Sequence, residues 1–229
     1  LLSALLEEAG DPDWEVFLTS YLGGVHLGVG TPLPRTPAVY PPKVHWRLPQ
    51  QQEVPDWETP PPSEPSFRDN YKSAREAVRE LKTMFEEEKV EGMMVELPED
   101  EARKLYPGDS LRVASLGAIA KTDDTFRVVH DGTHGVRVNN EVQRRDQVTM
   151  PGAPEIKALV RHASADGRYS WCLKADFAKA HRRVKIRRCD WGLQACKLGG
   201  DTVWVNTVGT FGIGTAGYWW GRLAAIMAR

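Results

Sequence analysis

The sequence predicts an α+β protein, because segments with helical and strand patterns follow one another without a regular order. Between residues 66 and 89, apolar residues recur at gaps of four and three, which is the spacing of one helix face. Residues 203–208 are instead rich in β-branched and aromatic side chains, which favour strands. A doubly wound sheet would alternate strands and helices, and this chain does not.

Helices are predicted where a capping residue or proline precedes a periodic apolar run. Ser66 opens the strongest helix, with Asp69 three residues later, and the helix ends near residues 88–89, before Gly92. Its apolar stripe consists of Phe67, Tyr71, Ala74, Val78, Leu81 and Phe85. The other predicted helices start at Leu1, at Asp11-Pro12-Asp13, at Glu99 (to Leu105), at Pro154 (to His162) and at Thr215.

Strands are predicted from alternating or β-branched segments bounded by turn residues. A hairpin is expected from Leu116–Lys121, a turn at residues 122–124, and Phe126–Val129. Three more strands are expected at Trp171–Asp176, Leu193–Leu198 and Val203–Val208. The four tryptophans at positions 191, 204, 219 and 220 are assigned to packing rather than to base stacking.

The distribution of proline along the chain predicts three segments. Residues 31–65 contain eleven of the sixteen prolines, and proline fixes φ and removes a backbone donor. We therefore predict a short helical segment over residues 1–30, a disordered proline-rich linker over 31–65, and one folded unit over 66–229. Residues 1–65 are expected to be peripheral.

Charge is distributed unevenly, although the formal net charge is only −1. Residues 1–100 contain 9 Lys and Arg against 19 Asp and Glu, whereas residues 101–229 contain 21 against 12. A basic half is expected where a protein meets polyphosphate, and an uneven solvated surface would give the same counts. No run reaches the length of a membrane span, so no membrane partner is predicted.

Cysteine usage indicates an intracellular protein of the nucleus or cytoplasm. The three cysteines are an odd number, and the sequence begins without a basic residue of the kind a signal peptide carries. Cys189 and Cys196 lie too far apart in sequence for a common zinc motif, even with His162 or His181 nearby. They are interpreted as small, partly buried residues.

The candidate for chemistry is Asp176, which follows the apolar segment 172–175. A carboxylate at a strand end can bind the Mg²⁺ ions used in phosphoryl transfer, although such a residue is commonly a turn or cap. Two other features accompany it. Lys121 and Arg127 lie on opposite arms of the predicted hairpin, and the small-residue turn 209–216 opens the last helix.

In chain order, the hairpin with its two cations, Asp176 and the small-residue turn resemble three successive motifs of the reverse transcriptases of retroelements, such as retrotransposons. The resemblance covers about residues 66–229. It implies a right-hand polymerase, fingers with a partial palm, that needs Mg²⁺ or Mn²⁺, an RNA template, a DNA primer and a dNTP. Its nucleotidyltransferase activity would add the dNTP to the primer 3′-hydroxyl. The oligomeric state stays open.

The resemblance also assigns roles to single residues. Asp176 would be the catalytic residue, and Asp176 and Phe177 would bind the metal. The nucleotide-binding residues would be Lys121, Arg127, Ala180, His181, Phe211 and Gly212. A basic segment with strand-like alternation would contact nucleic-acid backbone through Arg182, Arg183, Lys185 and Arg187.

The sequence departs from the family pattern at several positions. His181 stands where the family has Tyr or Phe, Gly217 where it has Pro, and Thr133 where it has Arg. The motif with the second pair of metal-binding aspartates is expected after the helix in which this sequence ends. The sequence is therefore expected to be a fragment.

Two alternatives remain open. A viral RNA-directed RNA polymerase would place a second Asp at position 181, where this chain has His. A non-catalytic nucleic-acid-binding remnant of a polymerase would explain the basic second half without any turnover.

We predict that the 229-residue chain alone shows no template-dependent dNTP incorporation, because Asp176 supplies only part of the carboxylate charge of a two-metal site. The measurement is primer extension with purified protein. Incorporation that Asp176→Ala abolishes would overturn this expectation.

Overall fold

The computed structural model describes residues 2–36, 40–43, 68–122, 125–148, 152–165 and 176–228. Eight α-helices are found in these ranges: α1 (Leu2–Glu8), α2 (Trp14–Val16), α3 (Lys72–Glu76), α4 (Val78–Val90), α5 (Glu99–Leu105), α6 (Val138–Glu141), α7 (Ala153–Ala165) and α8 (Gly214–Ala228). A π-helical turn, Phe17–Tyr21, continues α2. Among these residues, no helix combines the length and apolarity that crossing a membrane requires.

The described part of the chain contains six strands in two sheets: β1 (Met94–Pro98), β2 (Val113–Ala114), β3 (Leu116–Ala120), β4 (Phe126–His130), β5 (Ala195–Cys196) and β6 (Thr202–Asn206). The larger sheet has the order β1-β6-β5-β2, in which only β2 and β5 are parallel. The antiparallel hairpin β3–β4 forms the second sheet, with Leu116 opposite His130. Short 3₁₀ helices cover Gly108–Ser110, Ala180–Arg183 and Arg188–Gln194. The predicted α+β class is confirmed in this mixed arrangement.

Several predicted elements are confirmed, and others are shorter than expected. The hairpin forms as predicted, and α5 has the predicted limits. The helix expected from Ser66 instead begins at Lys72 and breaks at Ala77, whose ψ of 22° is outside the helical range. Residues 66–67 lie outside the described residues. The strand expected at 193–198 is reduced to β5, because a 3₁₀ helix takes up residues 188–194.

Helices α3 and α4 pack on both sheets through one face. Ala74, Leu81 and Phe85 are buried in a cluster with Leu116 of the hairpin and Trp204 of β6. Two members of the predicted stripe, Tyr71 and Val78, are exposed instead. Tyr71 precedes the first turn of α3, and Ala77 takes the buried position next to Val78. The cluster therefore joins the hairpin to the larger sheet.

The N-terminal segment packs into the core, which differs from the peripheral position predicted for residues 1–65. Val25, Leu27 and Leu33 are buried in one cluster with Ile186 and Trp219. Ile186 and Trp219 lie more than 150 residues later in the sequence, so local composition does not reveal these contacts. Residues 37–39 and 44–67, most of the predicted linker, lie outside the described residues.

A buried ion pair holds the N-terminal segment against α8. The guanidinium of Arg222 is fully buried and donates to the carboxylate of Asp13 at 2.5 Å. Arg222 also donates to the hydroxyls of Tyr218 and Thr36 and, at 3.0 Å, to the carbonyl of Pro34. A buried charge is tolerated only with such a set of partners. The carbonyl of Pro34 thus supplies one of the acceptors of the buried guanidinium.

The aromatic residues mostly pack as predicted. Trp204 and Trp219 are buried, and Trp191 and Trp220 pack at the edge of the core. The indole of Trp219 donates to the carbonyl of His26 at 2.8 Å. This bond gives the buried indole N–H a partner.

We predict that Arg222→Met lowers the free energy of unfolding by about 3–5 kcal/mol, because it leaves the Asp13 carboxylate in the core without its main counter-charge. Urea denaturation measures this change. Lys104→Met is the matched control, since the Lys104–Asp100 pair is solvent-exposed and is expected to contribute less than about 1 kcal/mol. Equal unfolding midpoints for the two variants would contradict the prediction.

Candidate functional site

A cavity of about 560 Å³ lies between the β3–β4 hairpin, α4 and the segment 176–182. Lys121 and Arg127 of the hairpin line it, and so does Asp176 from the opposite side. Phe211, from the turn before α8, completes the outer wall. Lys121 and Phe211, ninety positions apart in sequence, therefore line the same cavity.

The predicted site residues divide into those that line this cavity and those behind it. Phe177 and Ala180 line it together with the four residues above. His181 lies one layer away, with its ring centroid 4.7 Å from that of Phe211. Gly212 lies behind Phe211, against the hairpin backbone. Of the strand predicted over residues 171–176, all but Asp176 lie outside the described residues.

Hairpin pairing positions the two cations. The backbone N–H of Lys121 donates to the carbonyl of Thr125 at 2.8 Å, closing the hairpin just beyond β3. Arg127 lies opposite Ile119 in the ladder. The side chains of Lys121, Arg127 and Asp176 are all exposed, so they are accessible from solvent.

The ring of Phe211 contacts the side chains of Arg127 and His181. The guanidinium carbon of Arg127 lies 5.5 Å from the centre of the Phe211 ring, within the range of a cation–π contact. His181 packs on the same ring, and burial lowers the pKa of His181. The lowered pKa of His181 favours the uncharged form of the ring over the cation.

Gly212 permits a close approach between the turn and β4. Its φ of +100° is in the region that favours glycine, and a Cβ there would overlap the carbonyl oxygen of His130. The carbonyl of Phe211 accepts from the backbone N–H of His130 at 2.9 Å. The Asn139 side chain donates to the Gly212 carbonyl and accepts from the Gly214 N–H, both at 2.7 Å.

Arg182 forms the inner wall of the cavity and is 7% exposed. Its guanidinium pairs with Glu88 of α4 and donates to Asn206 of β6 at 2.6 Å. Burial lowers the pKa of Arg182, and the Glu88 carboxylate opposes this effect. Arg182 therefore does not lie on the exposed basic face that the sequence predicted.

The other basic residues of that segment are exposed. Arg183, Lys185 and Arg187 alternate with buried Val184 and Ile186. Two isolated bridges, Val25 with Ile186 and Lys185 with Val208, pair this alternating segment with its neighbours.

Arg183 and Lys185 line a second groove of about 760 Å³, which we call the basic groove. Arg188 and Trp191 line it further along the chain. Arg182 lines both the cavity and the basic groove, and so separates them.

His130 is a residue of the site that sequence reasoning missed. It lies at the end of β4, is 1% exposed and lines the cavity. In the described part of the chain, neither of its ring nitrogens has a hydrogen-bond partner. Burial lowers the pKa of His130 to about 4, so the ring is neutral at pH 7. No sequence motif marks this position.

The adjacent Asp131 has a structural role. Its carboxylate accepts from the Tyr71 hydroxyl at 2.5 Å and from the backbone N–H groups of Thr133 and His134 at 3.0 Å each. Partial burial raises the pKa of Asp131, but these donors outweigh it and lower the pKa to about 2. The carboxylate thus joins the start of α3 to the loop after β4.

The oxygen donors at Asp176 fit a hard divalent cation held jointly with a ligand. Asp176 supplies one carboxylate, and Phe177 can supply a backbone carbonyl; Mg²⁺ commonly completes such a shell with water and phosphate oxygens. Within the described ranges, no group of three or more metal-binding side chains occurs, so neither a closed metal cage nor a zinc site is found there. Cys196 is buried as expected, whereas Cys189 is exposed.

No protein-family model matches the chain, and no curated protein has a significantly similar sequence.

We predict that Gly212→Ala lowers the free energy of unfolding by about 2 kcal/mol or more, because the methyl group meets the His130 carbonyl at a positive φ. Gly217→Ala is the matched control, since a Cβ at Gly217 has no neighbour within 4 Å and the residue lies in α8. Alanine there is expected to be neutral or stabilising by up to about 1 kcal/mol. Thermal unfolding of both variants measures the difference, and a stable Gly212→Ala protein would disprove the close approach.

Proposed function

We propose that the cavity binds the Mg²⁺ complex of a dNTP, as the nucleotide site of an RNA-directed DNA polymerase. The observation that carries this proposal is that Asp176, Lys121 and Arg127 border one solvent-accessible cavity. Phosphoryl-transfer sites combine a carboxylate for the metal with cations for the phosphates, and this cavity offers both.

The two cations suit different phosphate contacts. Arg127 offers a planar guanidinium for bidentate bonds, whereas Lys121 acts as a compact charge at the end of the hairpin. Both side chains are exposed, and no ion pair of either is found among the described residues. The Arg127 guanidinium also lies over the Phe211 ring. Lys179, also in the lining, is held by Glu91 at 2.6 Å and is a weaker candidate.

The proposed reaction is nucleotidyl transfer. The primer 3′-hydroxyl gives its proton to water as its oxygen attacks the α-phosphorus. The bond from that phosphorus to the β-bridging oxygen breaks, and pyrophosphate leaves with the electron pair. Divalent metal held by Asp176 and Phe177 would neutralise phosphate charge as it develops. Lys121 and Arg127 would hold the departing phosphates, and Phe211 would border the nucleotide.

A second candidate, non-catalytic nucleic-acid binding, is favoured by the exposed row Arg183, Lys185 and Arg187. Cations spaced by two residues along an extended segment suit successive backbone phosphates. Such binding requires no metal and no nucleotide.

The test is equilibrium binding of a fluorescent dNTP with and without Mg²⁺. Lys121→Ala and Arg127→Ala are each expected to weaken binding about tenfold, because each removes a charge-assisted phosphate contact at an exposed site. Asp176→Asn is expected to remove most of the dependence on Mg²⁺.

Lys82→Ala provides the matched control, since Lys82 is exposed on α4 and does not line the cavity. The Lys82→Ala protein is expected to bind the dNTP with the same affinity as the unchanged protein. Undiminished Mg²⁺-dependent binding by Asp176→Asn would refute the proposal. Salt-sensitive binding of an RNA–DNA hybrid without any dNTP binding would favour the second candidate.

A further inference from the structure

The basic groove is a second binding surface, and its lining is open to solvent. Three cations in the lining, Arg183, Lys185 and Arg188, are exposed. Leu22 also lines the groove and is 70% exposed. A partner in the groove can therefore contact all four side chains directly.

The groove keeps a net positive charge. No ion pair of its three exposed cations is found among the residues that the structure describes. The two carboxylates in its lining, by contrast, are paired: Glu96 lies 2.7 Å from the ammonium of Lys89, and Glu91 lies 2.6 Å from that of Lys179. The exposed cations therefore suit an acidic partner.

Arg183 and Lys185 are spaced like alternate side chains of an extended peptide. Val184 lies between them, is buried, and has an extended backbone with φ of −98° and ψ of 114°. The two cationic residues therefore lie about 6–7 Å apart along the chain, on its solvent side. Carboxylates on every second residue of an extended partner have the same spacing.

Apolar side chains in the groove favour a peptide over a nucleic-acid strand. Met93, Val95 and Trp191 line it and are half-buried, in addition to exposed Leu22. Met, Trp and Arg are enriched in protein–protein interfaces, whereas nucleic-acid interfaces are more polar and more positive. An apolar side chain can cover Leu22, and the two carboxylates in the lining disfavour phosphates.

We propose that the basic groove binds an extended peptide segment of a protein partner, in which acidic and apolar residues alternate. Side chains of such a segment point alternately to opposite sides. Its carboxylates pair with Arg183 and Lys185, and its apolar side chains pack against Leu22. This binding requires neither metal nor nucleotide, so it goes beyond the proposed dNTP site and does not rest on it.

The experiment is fluorescence anisotropy of a labelled peptide of Glu-Leu repeats, titrated with the full chain. Arg183→Gln and Lys185→Gln are each expected to weaken binding about threefold, the effect of an exposed ion pair, and high salt is expected to weaken binding further. Leu22→Ser is expected to weaken binding about fivefold, because it removes apolar contact area. All three side chains are exposed, so these variants are expected to fold.

Two controls test the apolar contact and the location. A peptide of Glu-Ser repeats keeps the charge but lacks the leucines. It is expected to bind about fivefold more weakly, and to bind the Leu22→Ser protein as tightly as the unchanged protein. Arg187 is exposed in the same segment but does not line the groove, so Arg187→Gln is expected to leave peptide binding unchanged.

The proposal fails if both peptides bind equally well or if neither binds. It also fails if Arg187→Gln weakens binding as much as Lys185→Gln does, because binding would then follow the exposed row of cations rather than the groove. A single-stranded oligonucleotide that binds more tightly than the Glu-Leu peptide and displaces it would assign the groove to nucleic acid instead. None of these outcomes depends on dNTP binding in the cavity, which is measured separately.

Discussion

The buried guanidinium of Arg182 is the constraint on which the arrangement of the site depends. It is tied to Glu88 of α4, Asn206 of β6 and the carbonyl of Gly209, which precedes the turn at Gly212. Removing a cation from water is costly unless several partners are in place together. Helix, sheet and turn must therefore adopt one relative arrangement, and this arrangement separates the cavity from the basic groove.

Local patterns in the sequence were sufficient for much of the secondary structure. The hairpin follows from two short apolar strands around polar turn residues, and α5 follows from its acidic first turn and the Pro107-Gly108 stop beyond its end. These signals act over a few residues, so burial elsewhere does not change them. Pairing of β3 with β4 then puts Lys121 and Arg127 at the same end of one hairpin, which the sequence also predicts.

Features that depend on distant contacts could not be predicted in the same way. Asp13 and Arg222 are 209 positions apart, and neither residue has a local pattern that indicates the pair. Arg182 and Arg183 are adjacent and identical in type, yet only Arg182 is buried, because the phase of the chain at this point is set by α4 and β6. His130 is recognisable only from its burial at the end of β4, where neither ring nitrogen has a hydrogen-bond partner among the residues that the structure describes.

The hairpin is a sheet of its own, and its two ends are attached very differently. At the base, backbone bonds join Asp131 to Ser115 and His130 to Phe211, at 2.9 Å each. At the tip, beyond exposed Ile119, Lys121 extends into solvent. Between base and tip, Phe126 and Val128 of β4 pack against the cluster that contains Leu81 and Phe85 of α4. If Lys121 holds phosphate as proposed, the reach of its ammonium group then depends on how firmly α4 supports the hairpin, and not only on the residues of the tip.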